Sequence, residues 1–368
     1  MTRMAIGEQT TLSQRKKLAA QRLILGFEGT CVPPEFKDFV RAAPPAGFIL
    51  FRRNVEEVAQ VRELNRELAD CLPDSLPPLL SVDQEGGRVL RVRETPWPPM
   101  RWLGNIDDLD ITRRTASLMG AELRAMGFNL DWAPVADVDS NPDNPIIGNR
   151  SFSRDPEVVS RHIVAFLDGL HEAGVMGSVK HFPGHGDTST DSHLELPVVD
   201  KDLGDISHCE LVPFRVAVQH SVEIVMTAHV LFPVLDEKVP ATMSHPILKG
   251  WLRDKLGHRG IIVSDDMEMK AVRGRYPLVQ QLDQACRATV DLFLMCKELD
   301  LQVEAWETLI RLMEEDNTHH DLAVESNRRL CELRDRHLLS LPKAPELSVV
   351  GSRGHKDFAS LIESRGRA

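Results

Sequence analysis

Short, mostly apolar runs alternate along this chain with stretches of helical spacing, strand then helix, about eight times, and few folds can use that pattern. The runs lie at 22–27 (RLILGF), 47–51 (GFILF), 78–82 (PLLSV), 128–132 (FNLDW), 175–179 (VMGSV), 223–227 (EIVMT), 260–264 (GIIVS) and 291–295 (DLFLM). Amphipathic stretches fall between them at 34–42, 55–72, 109–126, 156–173, 209–220, 246–256 and 278–289. A strand with one face in water alternates polar and apolar residues. A continuous apolar run is instead buried on both faces, as in a parallel sheet covered by its own crossover helices. Such units closing on themselves make a (β/α)8 barrel. An open doubly wound sheet has fewer and often carries a Gly-rich phosphate turn after its first strand, and neither GxGxxG nor GxxxxGK[ST] occurs here. The expectation is therefore an α/β chain with a single (β/α)8 catalytic domain over 22–339, its terminal helices over 304–336. A polar leader (1–21) precedes it, and a tail (340–368) with Pro342, Pro345 and a basic GSRGHK stretch follows. That tail reads as loosely attached, with no role assigned.

Composition narrows the partners. The 368 residues are 42% hydrophobic, enough for one core of barrel size. A net charge of −11 argues against nucleic acid and anionic membranes as ligands. The first residues hold no apolar core of signal-peptide length, and no run approaches the roughly 20 apolar residues that span a bilayer, so a cytoplasmic monomer is expected. The six cysteines are dispersed with no CxxC pair, which suits reduced core thiols better than disulfides or a zinc-thiolate centre.

Active groups of such a barrel sit at the C-terminal ends of its strands, and the polar clusters fall there repeatedly. Asp83 and Arg91 follow the third run, Asp131 ends the fourth and Arg150 lies in the long loop beyond it. Lys180 and His181 open the loop KHFPGHGDTSTDSH (180–193) after the fifth, His229 follows the sixth, and Asp265 and Asp266 follow the seventh. The 180–193 loop holds six titratable side chains in fourteen positions, more than a plain connection needs, although a solvated polar loop is the bland alternative. Asp191 and His193 are two apart, so in an extended segment they project to one side, where a carboxylate would fix the imidazole as a positioned acid or base. A metal centre on His181, His185, Asp187, Asp191 and His193 is the competing reading, but no HxH or HExxH spacing supports it, and neither metal nor cofactor is expected. Asp265 and Asp266 alternate along the strand, so one of them should face the barrel mouth, where a carboxylate could attack an electrophilic carbon or stabilise a cation. Capping the next helix would be their structural alternative.

KHFPGHGDT followed by DSH resembles the signature of glycoside hydrolase family 3, in particular its bacterial β-N-acetylglucosaminidases of the NagZ type. SDDMEM resembles that family's SDDLSM segment, whose first aspartate, the nucleophile, corresponds to Asp265. Asp83 and Arg91 in VDQEGGRVLR, Arg150 in IIGNRSF, and Lys180 and His181 resemble the family's sugar-binding positions. A carboxylate accepting from hydroxyls, with guanidinium and ammonium donors beside it, is what a pyranose ring needs. Gly86 and Gly87 serve either close approach of the backbone or a plain turn. The resemblance implies a retaining exo-β-N-acetylglucosaminidase, with His193 as acid/base oriented by Asp191, acting on muropeptides in cell-wall recycling. A phosphorylase, or another β-glycosidase at the same site, is the alternative, and a sugar-binding protein without catalysis would leave Asp191, His193 and Asp265 without work.

Overall fold

The computed structural model describes residues 11–188, 196–339 and 341–367. Eight parallel strands close into a barrel: β1 (Leu23–Leu25), β2 (Gly47–Leu50), β3 (Leu79–Val82), β4 (Leu130–Asp131), β5 (Met176–Phe182), β6 (Ile224–Thr227), β7 (Ile261–Asp266) and β8 (Leu292–Met295). Neighbours follow chain order, and β1 closes on β8 with Leu23 opposite Phe293. All eight apolar runs are thus strands of one sheet, and one side-chain period explains how each serves two cores. Ile24, Ile49, Leu79, Leu130, Met176, Ile224, Ile261 and Leu292, at least one from every strand, form the inner cluster. Leu23, Leu25, Phe48, Leu50, Val225 and Phe293, the alternate positions, join the outer layer under the helices.

The helices start where the chain supplies caps. Asp108 accepts from the Asp110 and Ile111 amides ahead of the helix Leu109–Ala125, and Asp155 followed by Pro156 opens Pro156–Glu172. The last two barrel helices are Leu299–Glu315 and Asn317–His337.

Three features depart from the expectations. Part of the leader is a helix, Leu12–Ala20, whose Lys16 carbonyl accepts from Trp306 Nε1 at 3.0 Å, and whose Ala19 and Ala20 are buried. The tail is not loose: Arg353–Gly366 is a helix that buries Phe358, Ala359 and Ile362 against the short helix Met100–Ile106 and its surroundings. Cys286 and Cys296 are core thiols as expected, but Cys31 and Cys331 are exposed. Among the described residues, no helix is long and apolar enough to cross a membrane.

Candidate active site

The C-terminal ends of the strands surround a cleft of about 690 Å³. β3 runs out into a small hairpin, Gln84–Gly86 paired with Val89–Leu90, which was not foreseen and which carries one wall. Asp83 and Glu85 are two residues apart in an extended segment, so both carboxylates face the same side. Lys180, from β5, meets both: its Nζ lies 2.8 Å from Asp83 Oδ1 and 2.6 Å from Glu85 Oε1. Arg91 donates to Asp83 Oδ2 at 3.0 Å, and Arg150 grips Glu85 through Nε and Nη2, both at 2.8 Å. Two carboxylates are therefore held among three cations.

Burial alone would raise the Asp83 carboxyl, but the charges of Lys180 and Arg91 outweigh it and hold the group well below the usual carboxylate range. In the same way Arg150 and Lys180 overcome burial at Glu85 and bring it down to about 2. The whole network is ionised at neutral pH, a preformed array of donors and acceptors lining the cleft.

Beneath it, Asp131 is fully buried at the end of β4, with Oδ1 accepting from the Gln84 amide at 2.9 Å. Burial pushes its carboxyl well above the ordinary value, and it supports the hairpin from beneath instead of lining the cleft.

His181 lines the cleft with its Nδ1 2.7 Å from Asp137 Oδ2. Asp137 Oδ1 also accepts the backbone amides of His181 (3.1 Å) and His185 (2.7 Å). One buried carboxylate thus fixes both the ring and the backbone of the loop start. An ionised carboxylate only accepts, so the His181 proton sits on Nδ1 and Nε2 keeps the ring's lone pair. His185 stands against His181 with ring centroids 5.7 Å apart, and burial, followed by the charge of His181, lowers it to about 4, so it is neutral. The Lys180–His181 peptide is cis.

Opposite this wall, Asp265 and Asp266 both line the cleft, which corrects the expectation that only one of them would. Their roles differ. Asp265 Oδ1 accepts the Asp266 amide at 2.8 Å, whereas burial and the neighbouring Glu268 carboxylate raise Asp266 to about 7. Glu268 accepts the amides of Lys297 and Glu298 and so ties the end of β7 to the loop after β8. His229 does not join the cleft wall: it is 1% exposed, with Nε2 3.0 Å from the Asp266 carbonyl and Nδ1 2.9 Å from Thr242 Oγ1, and it props β7 from below.

Asp191 and His193 lie outside the described residues. Asp187, the loop's other carboxylate, accepts from Ser140 Oγ at 3.0 Å and pairs with Lys201 at 2.9 Å. His181, His185 and Asp187 therefore have three different partners, Asp137, Thr188 and Lys201, rather than a common centre. Among the described residues no group of three or more His, Cys, Asp or Glu is arranged to hold a metal ion.

Glu85 and Asp137 carry no role in the reading from sequence. Glu85 had a usable signal, its period-two relation to Asp83 at a strand end. Asp137 had none, because its three donors come from a loop more than forty residues away.

A parallel barrel with a half-buried carboxylate at the end of one strand, sharing its cleft with a largely buried lattice of cations and carboxylates, belongs with the barrel glycoside hydrolases. More narrowly, residues 33–333 match the glycosyl hydrolase family 3 N-terminal domain, and the chain belongs to that family. Beta-hexosaminidase A of Pseudoalteromonas piscicida is 37% identical over 290 residues, which cover 72% of this chain but only 48% of that longer protein. A beta-hexosaminidase of Nitrosomonas eutropha is 38% identical over 288 residues, 76% of this chain and 81% of its own length. Among solved structures, a family 3 beta-N-acetylglucosaminidase from Paenibacillus sp. strain FPU-7 superimposes with a TM-score of 0.88 at 34% identity, over 95% of this chain and 68% of that one.

Proposed function

We propose that this chain is a retaining exo-acting β-N-acetylglucosaminidase. The observation that carries the reading is that Asp265 shares one cleft with the ionised Asp83–Lys180–Glu85–Arg150 network. The network suits a terminal sugar: Asp83 and Glu85 keep acceptor capacity for hydroxyls, and Arg91, Arg150 and Lys180 donate to ring substituents. The beta-hexosaminidase and beta-N-acetylglucosaminidase names of the relatives support an N-acetylated glycone.

The chemistry combines Asp265, in the cleft, with the roles that the family resemblance gives to Asp191 and His193, which lie outside the described residues. The Asp265 carboxylate attacks the anomeric carbon as the bond to the leaving oxygen breaks, and His193, oriented by Asp191, gives that oxygen its proton. A glycosyl ester on Asp265 results. His193 then takes a proton from water, which attacks the same carbon, frees Asp265 and releases the sugar with its original anomeric configuration. An imidazole has an ordinary pKa of about 6.5 and can serve both steps without the burial that a carboxyl acid requires. The natural substrate in this reading is a muropeptide bearing terminal N-acetylglucosamine, handled in the cytoplasm during cell-wall recycling.

The test is release of p-nitrophenol from its β-N-acetylglucosaminide, followed by trapping with a slow 2-fluoro substrate and mapping of the labelled peptide. Label on Asp265 and a β-configured first product are expected. Label elsewhere, or inversion, overturns the mechanism. Appearance of sugar 1-phosphate on adding inorganic phosphate would make the enzyme a phosphorylase.

A further inference from the structure

One tie between the segment after the barrel and the cleft is a buried carboxylate. Glu122, on Leu109–Ala125, is 2% exposed and accepts four hydrogen bonds. Two come from the loop that leaves the hairpin: Thr95 Oγ1 at 2.5 Å and Trp97 Nε1 at 3.0 Å. The other two come from the post-barrel segment: the Gly351 amide at 3.0 Å and His355 Nδ1 at 2.7 Å. The His355 ring also lies 5.8 Å, centroid to centroid, from that of Trp97.

The loop so held presses directly under the hairpin. The Gly87 amide donates to the Trp97 carbonyl at 2.8 Å, and a Cβ on Gly86 would stand 2.1 Å from the Pro98 carbonyl oxygen. The positions of Asp83, Glu85 and Arg91 therefore depend on where residues 95–99 lie.

A second connection runs through Met100–Ile106, the helix on which Arg353–Gly366 packs. Asn105 Nδ2 donates to the Gly366 carbonyl at 2.8 Å, and Gly366 is close enough that a Cβ there would stand 2.4 Å from the Trp102 carbonyl oxygen. From the first turn of the same helix, Arg101 donates to the Ser151 and Gly148 carbonyls, both at 3.3 Å, and so braces the turn Gly148–Arg150. Both groups that line this wall of the cleft, the hairpin and Arg150, are thus backed by one external helix.

We propose that residues 347–367 are a positioning strap for the glycone side of the cleft, with His355 and Glu122 as positioning residues. The strap touches no substrate. It acts by holding the hairpin and the Arg150 turn in the geometry that a bound sugar requires, so binding need not order them. The inference rests on the glycosidase reading for its kinetic consequence, but its structural consequence stands alone.

The test uses the full chain with His355→Ala, His355→Asn, whose amide can donate where Nδ1 stood, and Ile362→Ala, which loosens the helix without touching Glu122. Hydrogen exchange of the amides at 86–97 should accelerate about tenfold or more in His355→Ala and Ile362→Ala, while those of β6 stay unchanged. On the aryl N-acetylglucosaminide, KM should rise about tenfold with kcat within about twofold, and His355→Asn should restore most of it. Unchanged exchange at 86–97, or a fall in kcat at constant KM, overturns the strap. Failure of the wild-type protein to cleave the glycoside would instead sink the glycosidase reading, and the exchange result would still decide the inference.

Discussion

Lys180 Nζ and Glu85 Oε1 meet at 2.6 Å with their side chains only 2% and 1% exposed. Neither charge can be left there alone. Lys180→Met would strand Glu85 and Asp83 with one cation fewer, and breaking a buried pair from one side typically costs about 3–5 kcal/mol. Lys180→Met should therefore lower the urea midpoint markedly and abolish activity. Lys180→Met combined with Glu85→Gln should recover part of the stability without the activity. A single Lys180→Met that unfolds like the wild type would show that the network is solvated in solution.

Two groups at the cleft, His185 and the half-buried Asp266, titrate in opposite senses. His185, lowered to about 4 mainly by burial, is neutral when folded, while the unfolded chain binds its proton below about pH 6.5. Its contribution to stability is complete above that value and is lost as pH falls toward 4. Asp266, raised to about 7 by burial and Glu268, keeps its proton when folded while the unfolded chain releases it near pH 4. Its contribution is complete below pH 4 and is lost as pH rises to 7. Each can change stability by at most about 1.4 kcal/mol per pH unit within its window. Urea titrations from about pH 4.5 to about pH 7.5 should show Asp266→Asn gaining on the wild type as pH rises, and His185→Gln gaining as pH falls. A pH-independent offset for either variant would remove that group from the account.

The barrel was legible because a parallel sheet buried on both faces favours mostly apolar runs, and seven of the eight have that character, while 128–132 (FNLDW) alternates with Asn129 and Asp131. Asp83, Arg91, Arg150, Lys180 and His181 were legible as strand-end polar residues, and the cleft does bring them together with Asp265. Glu85 was passed over because the glycines after it read as a turn, which hid the strand-like alternation before them. Asp137 could not have been found, since its role exists only once residues 181 and 185 fold back on it. The segment after residue 340 looked like a tail because its prolines and basic residues dominate, yet Phe358, Ala359 and Ile362 already stand at helical spacing.

Gly86 and Gly87 served two possible ends in the sequence, close approach or a turn, and the geometry shows a turn under strict limits. Gly86 has φ +101° and Gly87 φ +57°, both in the region that side chains avoid. Gly86→Ala would in addition drive a methyl into the Pro98 carbonyl. The hairpin must then shift, carrying Asp83 and Arg91 out of place. Stability should fall by about 1–3 kcal/mol, as for other strained backbone positions. The larger effect should be on kcat/KM, by about a hundredfold or more, because displacement of about an ångström at a positioning group is costly to catalysis. Wild-type kinetics in Gly86→Ala would mean that the hairpin does not hold substrate.

Asp265 and His193 should separate cleanly in kinetics. An activated aryl leaving group departs without a proton, so His193→Ala should slow the p-nitrophenyl substrate far less than a natural disaccharide, whose alkoxide must be protonated. General acid catalysis is typically worth about 10²–10⁴-fold, and that is the expected gap between the two substrates. Asp265→Asn removes the proposed nucleophile and should abolish turnover of both. A small nucleophile such as azide should restore some turnover to an Asp265 variant shortened to Ala or Gly, and the product should then carry inverted configuration, because the azide attacks directly from the face that Asp265 used. Equal losses on both substrates in His193→Ala would remove the imidazole from the proton-transfer step and leave the acid to be sought elsewhere in the 180–193 loop.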